Sequence, residues 1–129
     1  MSHHENRAKL ERMLNAMMSG DFDEMAAHMA EDAVEEWPQS GERIVGRDAC
    51  LTVYRNYPGA SPTYKLRRIT GEGDHYVAEA VADYGGEKTF ATIIVEFRDG
   101  KVARETAYWS TPFEAPAWRA QWVERMESV

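Results

Sequence analysis

The acid best placed to do chemistry is Glu105, within Lys101-Val-Ala-Arg-Glu-Thr-Ala-Tyr-Trp-Ser110. The stretch follows Phe97-Arg98-Asp99-Gly100, where Asp-Gly between two apolar runs predicts a tight hairpin. A strand alternates sides, so Ala103, Glu105, Ala107 and Trp109 share one face; Val102, Arg104, Thr106, Tyr108 and Ser110 take the other. One carboxylate, two small residues and one indole suit the wall of a small, mostly dry pocket. Burial there raises a carboxyl pKa toward neutrality and fits it for general acid–base work. The same face also suits a sheet packed on helices with Glu105 at the rim. A buried carboxylate needs a partner, and Tyr54 or Arg68 would serve.

Other candidate groups carry less. Glu35 and Glu36 are consecutive, so a strand cannot turn both to one side; Glu35, on the Trp37 face, is the one for a pocket. Cys50 is the only cysteine, excludes an intrachain disulfide and fits a reducing, cytoplasmic setting. On a helix it reads as a small buried apolar residue rather than a nucleophile. His3 and His4 read as terminal or dimer-contact residues, and His28 and His75 lack a second ligand at helical spacing, so no metal is expected. The glycines at 71, 73, 85 and 86 sit in turns rather than in a phosphate loop. No cofactor is expected.

The elements that must position these groups follow from periodicity. Leu10, Met13, Leu14, Met17 and Met18 predict an amphipathic helix over 4–18, stopped by Gly20. Asp21 caps a second helix with Glu24 in capping-box position, and Phe22, Met25, Ala26 and Met29 form its buried stripe. Ala33 to Trp37 reads as a short strand ended by Pro38, 39–43 as a loop, and Arg47 to Asn56 as a third helix ended by Tyr57-Pro58-Gly59, with loop from Ala60 to Thr63. Strands follow at 64–70, 75–84, 89–97 and 101–110. Beyond Pro116, Trp118, Trp122 and Met126 recur at i, i+4, i+8 and predict a last helix. Helices first and a meander after imply α+β: a cone of three N-terminal helices on a curved, mostly antiparallel sheet, plus a C-terminal helix over or beside the mouth. At 129 residues the chain reads as one domain, 1–129. A net charge of −7 speaks against nucleic acid and anionic membranes, no stretch is apolar enough to span a bilayer, and the N-terminus has no apolar core of a secretory signal.

This layout resembles the nuclear transport factor 2-like superfamily and, within it, the SnoaL-like group. The carriers are Ser19-Gly-Asp-Phe-Asp, Glu31-Asp-Ala-Val, Trp37-Pro-Gln-Ser-Gly-Glu-Arg-Ile, Gly46-Arg-Asp and Asp99-Gly-Lys-Val with Tyr108-Trp109. The resemblance covers about residues 5–127 and implies the cone with a cavity at its open end. It implies little about chemistry, because the superfamily includes ketosteroid isomerases, polyketide cyclases, dehydratases and epoxide hydrolases. Matched position by position, the isomerase base falls on Trp37, its donor tyrosine on Met13 and its donor aspartate on Ile93, while a supporting tyrosine is kept as Tyr54. The SnoaL cyclase aspartate falls on Ala107, with Glu105 two residues earlier as a displaced base. No equivalent of the epoxide-hydrolase Asp-Arg-Asp set is found, since Glu79 and Asp83 face outward. The resemblance therefore implies a catalytic pair Glu105 and Tyr54. It implies a ligand site lined by Met13, Met17, Trp37, Ile93, Ala107 and Trp109, for a small apolar or aromatic molecule. It excludes a standard ketosteroid isomerase, and implies a homodimer through an outer sheet face carrying Arg104, Thr106 and Tyr108. Two alternatives stand beside this: a non-catalytic ligand-binding protein, and a dimerisation module with a filled interior.

Overall fold

The computed structural model describes residues 3–58 and 62–127, and side chains for 5–58 and 62–127. The expectations for the side chains of His3 and His4, and for the chain from Gly59 to Ser61, lie outside the described residues. The order is α1 (His3–Ser19), α2 (Phe22–Ala27), β1 (Met29–Trp37), β2 (Glu42–Val45), α3 (Arg47–Arg55), β3 (Thr63–Glu72), β4 (His75–Asp83), β5 (Lys88–Arg98) and β6 (Lys101–Ser110). The strands form one open sheet in the order β2-β1-β6-β5-β4-β3. It is antiparallel except where β1 runs parallel to β6.

Three irregularities bend this sheet around the helices. They lie between Met29 and Val34 of β1, between Leu66 and Arg68 of β3, and opposite Glu96/Phe97 on β6. An extra residue in one strand kinks it and increases its twist. The third corrects the strict alternation expected over 101–110. Phe97 pairs with Val102 and Glu96 with Arg104, so Ala103 is extra. Val102, expected to face outward, is buried, on the same side as Glu105.

The helices fill the concave side. Leu10, Met13 and Leu14 of α1 are fully buried with Met25, Met29, Tyr76, Val95, Phe97 and Val102. Asn6 ties α1 to the β3–β4 turn through Gly73 O at 2.9 Å, and Lys9 ties it to the β5–β6 turn through Gly100 O at 3.0 Å. That last turn is the expected Asp-Gly hairpin, with positive φ at both Asp99 (52°) and Gly100 (77°). Gly71 cannot be replaced cheaply, because a Cβ there would sit 2.2 Å from the backbone oxygen of His75.

Boundaries shift where tertiary pairing outbids local pattern. Asp21 caps α2 as expected, accepting from Glu24 N–H at 3.2 Å. The helix nevertheless stops at Ala27, and Met29 begins a nine-residue strand. The cause is ladder formation, since Val102 N–H donates to His28 O at 2.8 Å. The stretch expected as loop at 39–43 instead leads into β2, whose four residues pair with Val34–Trp37. At the C-terminus the expected helix is a six-residue 3-10 segment, Ala117–Trp122, and Trp118, Trp122 and Met126 stand in solvent. So short a helix does not persist without a packed face.

Candidate active site

Two acids meet across the parallel pair. Register places Glu35 of β1 directly opposite Glu105 of β6. Both point to the concave side and are 1% and 3% exposed. From the helical side, α3 packs on β1 and presents Cys50 and Tyr54, four residues apart on one face. Tyr54 Oη lies 2.9 Å from each Glu35 carboxylate oxygen and donates to them. Glu105 hydrogen-bonds to Glu35 in turn. The partner expected for Glu105 is thus corrected. Tyr54 reaches it only through Glu35, and Arg68 lies on the outer side, bound to Glu79.

The electrostatics follow from this crowding without a cation. Burial pushes the Glu105 carboxyl well above the usual carboxylate range, and the charge of Glu35 and their shared hydrogen bond push the same way. Two carboxylates in contact cannot both ionise cheaply, which favours the protonated form of Glu105. Burial also raises the Tyr54 phenol, helped by Glu105 and Glu35. It raises the Cys50 thiol to about 12, which leaves that thiol inert.

Glu105 borders a cavity of about 840 Å³, within the range of small-molecule sites, and Glu35 stands behind it. An interior filled with side chains is thereby overturned. Met17, Trp37, Tyr54, Ile93, Glu105, Ala107 and Trp109 lie on its wall. Met13 does not: it is fully exposure-free in the core with Leu10, one helical position short of the Leu14, Met17 and Met18 face that lines the space. Trp37 and Trp109 meet edge to face, with centroids 5.0 Å apart at 68°. Trp37 Nε1 and Glu105 Oε2 are buried without a hydrogen-bond partner among the described residues, so the site holds one unmet donor and one unmet acceptor.

Sequence reasoning missed the far part of the wall, where Tyr57, Tyr64 and Tyr84 gather. The Tyr57 and Tyr84 rings lie 6.3 Å apart, and Tyr84 hydrogen-bonds with both neighbours. The signal was present in the apolar face of 76–84, which carries Tyr84, but nothing local joins that face to Tyr57. Among the described residues, no group of three or more His, Cys, Asp or Glu is placed to hold a metal ion, and no helix is long and apolar enough to cross a membrane.

An open, curved six-stranded sheet closed over helices, with an apolar cavity and one buried acid pair, defines the cone-shaped α+β class of pocket proteins. Residues 10–105 match the SnoaL-like domain, and the chain belongs to that family. No curated protein matches it significantly. A solved NTF-2 like protein of unknown function from Burkholderia xenovorans is 41% identical over 96% of this chain and 97% of its own, with a TM-score of 0.86. A Kribbella flavida protein provisionally named a ketosteroid isomerase is 29% identical over 98% and 93%, with a TM-score of 0.90. An LEH-like epoxide hydrolase of M. tuberculosis is 25% identical over 84% of each chain, with a TM-score of 0.70.

Proposed function

We propose that the protein binds a small apolar or aromatic molecule bearing an oxygen function and moves a proton to or from it at Glu105. The observation that carries this reading is Glu105 at the wall of a mostly apolar cavity, with Glu35 buried directly behind it. Glu105, in its protonated form, gives its proton to an oxygen of the bound molecule. It then recovers a proton from another position on that molecule or from water. Glu35 makes the return favourable, because an ionised Glu105 beside it is a strong base. Tyr54 is a positioning residue: its hydroxyl holds Glu35 in place. The reaction class is proton transfer of the cyclase, isomerase or dehydratase kind. Trp37, Met13 and Ile93 supply no acid or base, which argues against standard ketosteroid isomerase chemistry.

A second reading, binding without turnover, is favoured by one observation: among the described wall residues Glu105 is the only carboxylic acid. Native mass spectrometry of the purified protein, followed by assay of the molecule it retains, separates the two. Turnover that drops by about 10²–10⁴-fold in Glu105→Gln supports proton transfer. Turnover unchanged in that variant removes Glu105 from the chemistry, and a retained molecule that is never converted establishes the binder.

A further inference from the structure

We propose that Tyr57, Tyr64 and Tyr84 form a second recognition point, at the mouth of the cavity, which takes a neutral oxygen of the ligand: a carbonyl or a hydroxyl. It rests on the reading that Glu105 serves a different, remote oxygen of the same molecule. Three elements bring the phenols together. Tyr57 follows α3 and is tied to it by its N–H, which donates to Tyr54 O at 3.3 Å. Tyr64 stands near the start of β3, opposite Ala82 of β4. Tyr84 opens the β4–β5 turn. Its own N–H donates to Glu87 O at 2.8 Å across that turn, and the Gly86 N–H donates to Asp83 Oδ1 at 2.6 Å. All three tyrosines lie on the cavity wall, and Tyr57, at 52% exposed, marks the mouth.

Their position separates them from the acid. Register runs from Glu105 through Val95 to Tyr76, and Tyr84 lies eight residues beyond Tyr76. Eight residues of strand span roughly 26 Å. Even with the sheet curved and side chains reaching inward from both ends, no single functional group touches both places. The wall between them carries Ala80, Ala91 and Ala107, which suit an apolar body. The phenols then decide what its far end bears. Tyr84 hydrogen-bonds with both Tyr57 and Tyr64, so the hydroxyls converge, and each can donate one hydrogen and accept two. Burial pushes the Tyr64 and Tyr84 hydroxyls above the usual phenol range, which keeps them protonated donors. Among the described wall residues there is no Lys, Arg or His to offset the desolvation of an anion. A neutral acceptor fits this place and a carboxylate does not.

Displacement of the neutral dye Nile red by α,ω-alkanediols and the matching 1-alkanols, from six to fourteen carbons, tests the proposal by binding alone. In wild type the affinity of a diol relative to its alcohol passes through a maximum at one chain length, where the second hydroxyl reaches the tyrosines. In Tyr64→Phe/Tyr84→Phe, which keeps both rings, that maximum falls by about 3–10-fold, the worth of one neutral hydrogen bond, while the alcohols bind as before. Tyr57→Phe, at an exposed position, should move the maximum in the same direction and does not depend on the double variant folding. A maximum untouched by these variants overturns the proposal, and so does a wild type from which no diol displaces the dye. A ratio flat with chain length, with alcohols unaffected by the variants, overturns it too. A flat ratio with alcohols weakened in the variants has another meaning. It keeps the tyrosines as the point that holds oxygen and places the failure at Glu105, whose own role is decided separately by turnover in Glu105→Gln.

Discussion

The two faces of the β1–β6 pair hold acids in opposite ways. On the concave face Glu35 and Glu105 lie side by side, buried, with a phenol and a second acid for company. On the convex face, one residue further along each strand's alternation, Glu36 is bound by Arg43 at 3.1 Å and by Arg104, which also reaches Glu96 at 3.6 Å. The Arg43 hydrogen bond, with Arg104 adding to it, holds the Glu36 carboxyl below the usual range. Glu36 and Glu105, on the two paired strands, thus shift in opposite directions, because one face meets water and arginines and the other meets neither. Exposed ion pairs of the convex kind are cheap and add little. The concave pair meets no such cation, and burying it costs stability.

The largest consequence of the contrast is in the pH dependence of stability. The folded pKa of Glu105 lies above its ordinary value of 4.5. Above that pH the unfolded chain releases a proton that the folded chain retains. Glu105 therefore makes stability fall as pH rises, by up to about 1.4 kcal/mol per unit, until its folded pKa is passed. Glu36 works the other way: its contribution is present above 4.5 and lost as pH drops. Urea melts from pH 4 to 9 should show the alkaline-side decline vanish in Glu105→Gln and persist in Glu36→Gln. A decline that survives Glu105→Gln breaks the comparison.

Next in size is the difference between adjacent residues. Glu35→Ala strips the Tyr54 hydroxyl of its acceptor in a buried place and should cost about 1–3 kcal/mol. Glu36→Ala should stay within the scatter of the same melts. Equal losses would mean that the inner pair is no more demanding than the outer one. Smaller again is Trp109→Leu, which keeps apolar bulk but removes the edge-to-face contact with Trp37. It should cost about 0.5–1.5 kcal/mol, read by thermal unfolding. The least effect belongs to raised salt, which screens the convex ion pairs and leaves the buried acids untouched. A midpoint that shifts with salt in wild type but not in Arg104→Gln would assign that small term to the convex network.

Local chemistry was enough for much of this. The 3.6-residue spacing of Leu10, Met13, Leu14 and Met17 determined a helix, Asp21 its successor's cap, and Asp99-Gly100 a hairpin that leaves β6 beside β5. Alternation alone set Glu105 with Ala107 and Trp109, and Glu35 with Trp37, because side-chain direction along a strand is a property of consecutive residues. Tertiary structure decided what these faces met. β1 and β6 are far apart in sequence and pair in parallel, so no local signal opposes Glu35 to Glu105 or brings Tyr54 onto the former. The extra residue at Ala103 turned Val102 inward, and the rotation of α1 against the sheet sent Met13 to the core and Met17 to the cavity. Register between distant strands and the roll of a helix are set by packing, which depends on every partner at once and is written in no single stretch of the chain.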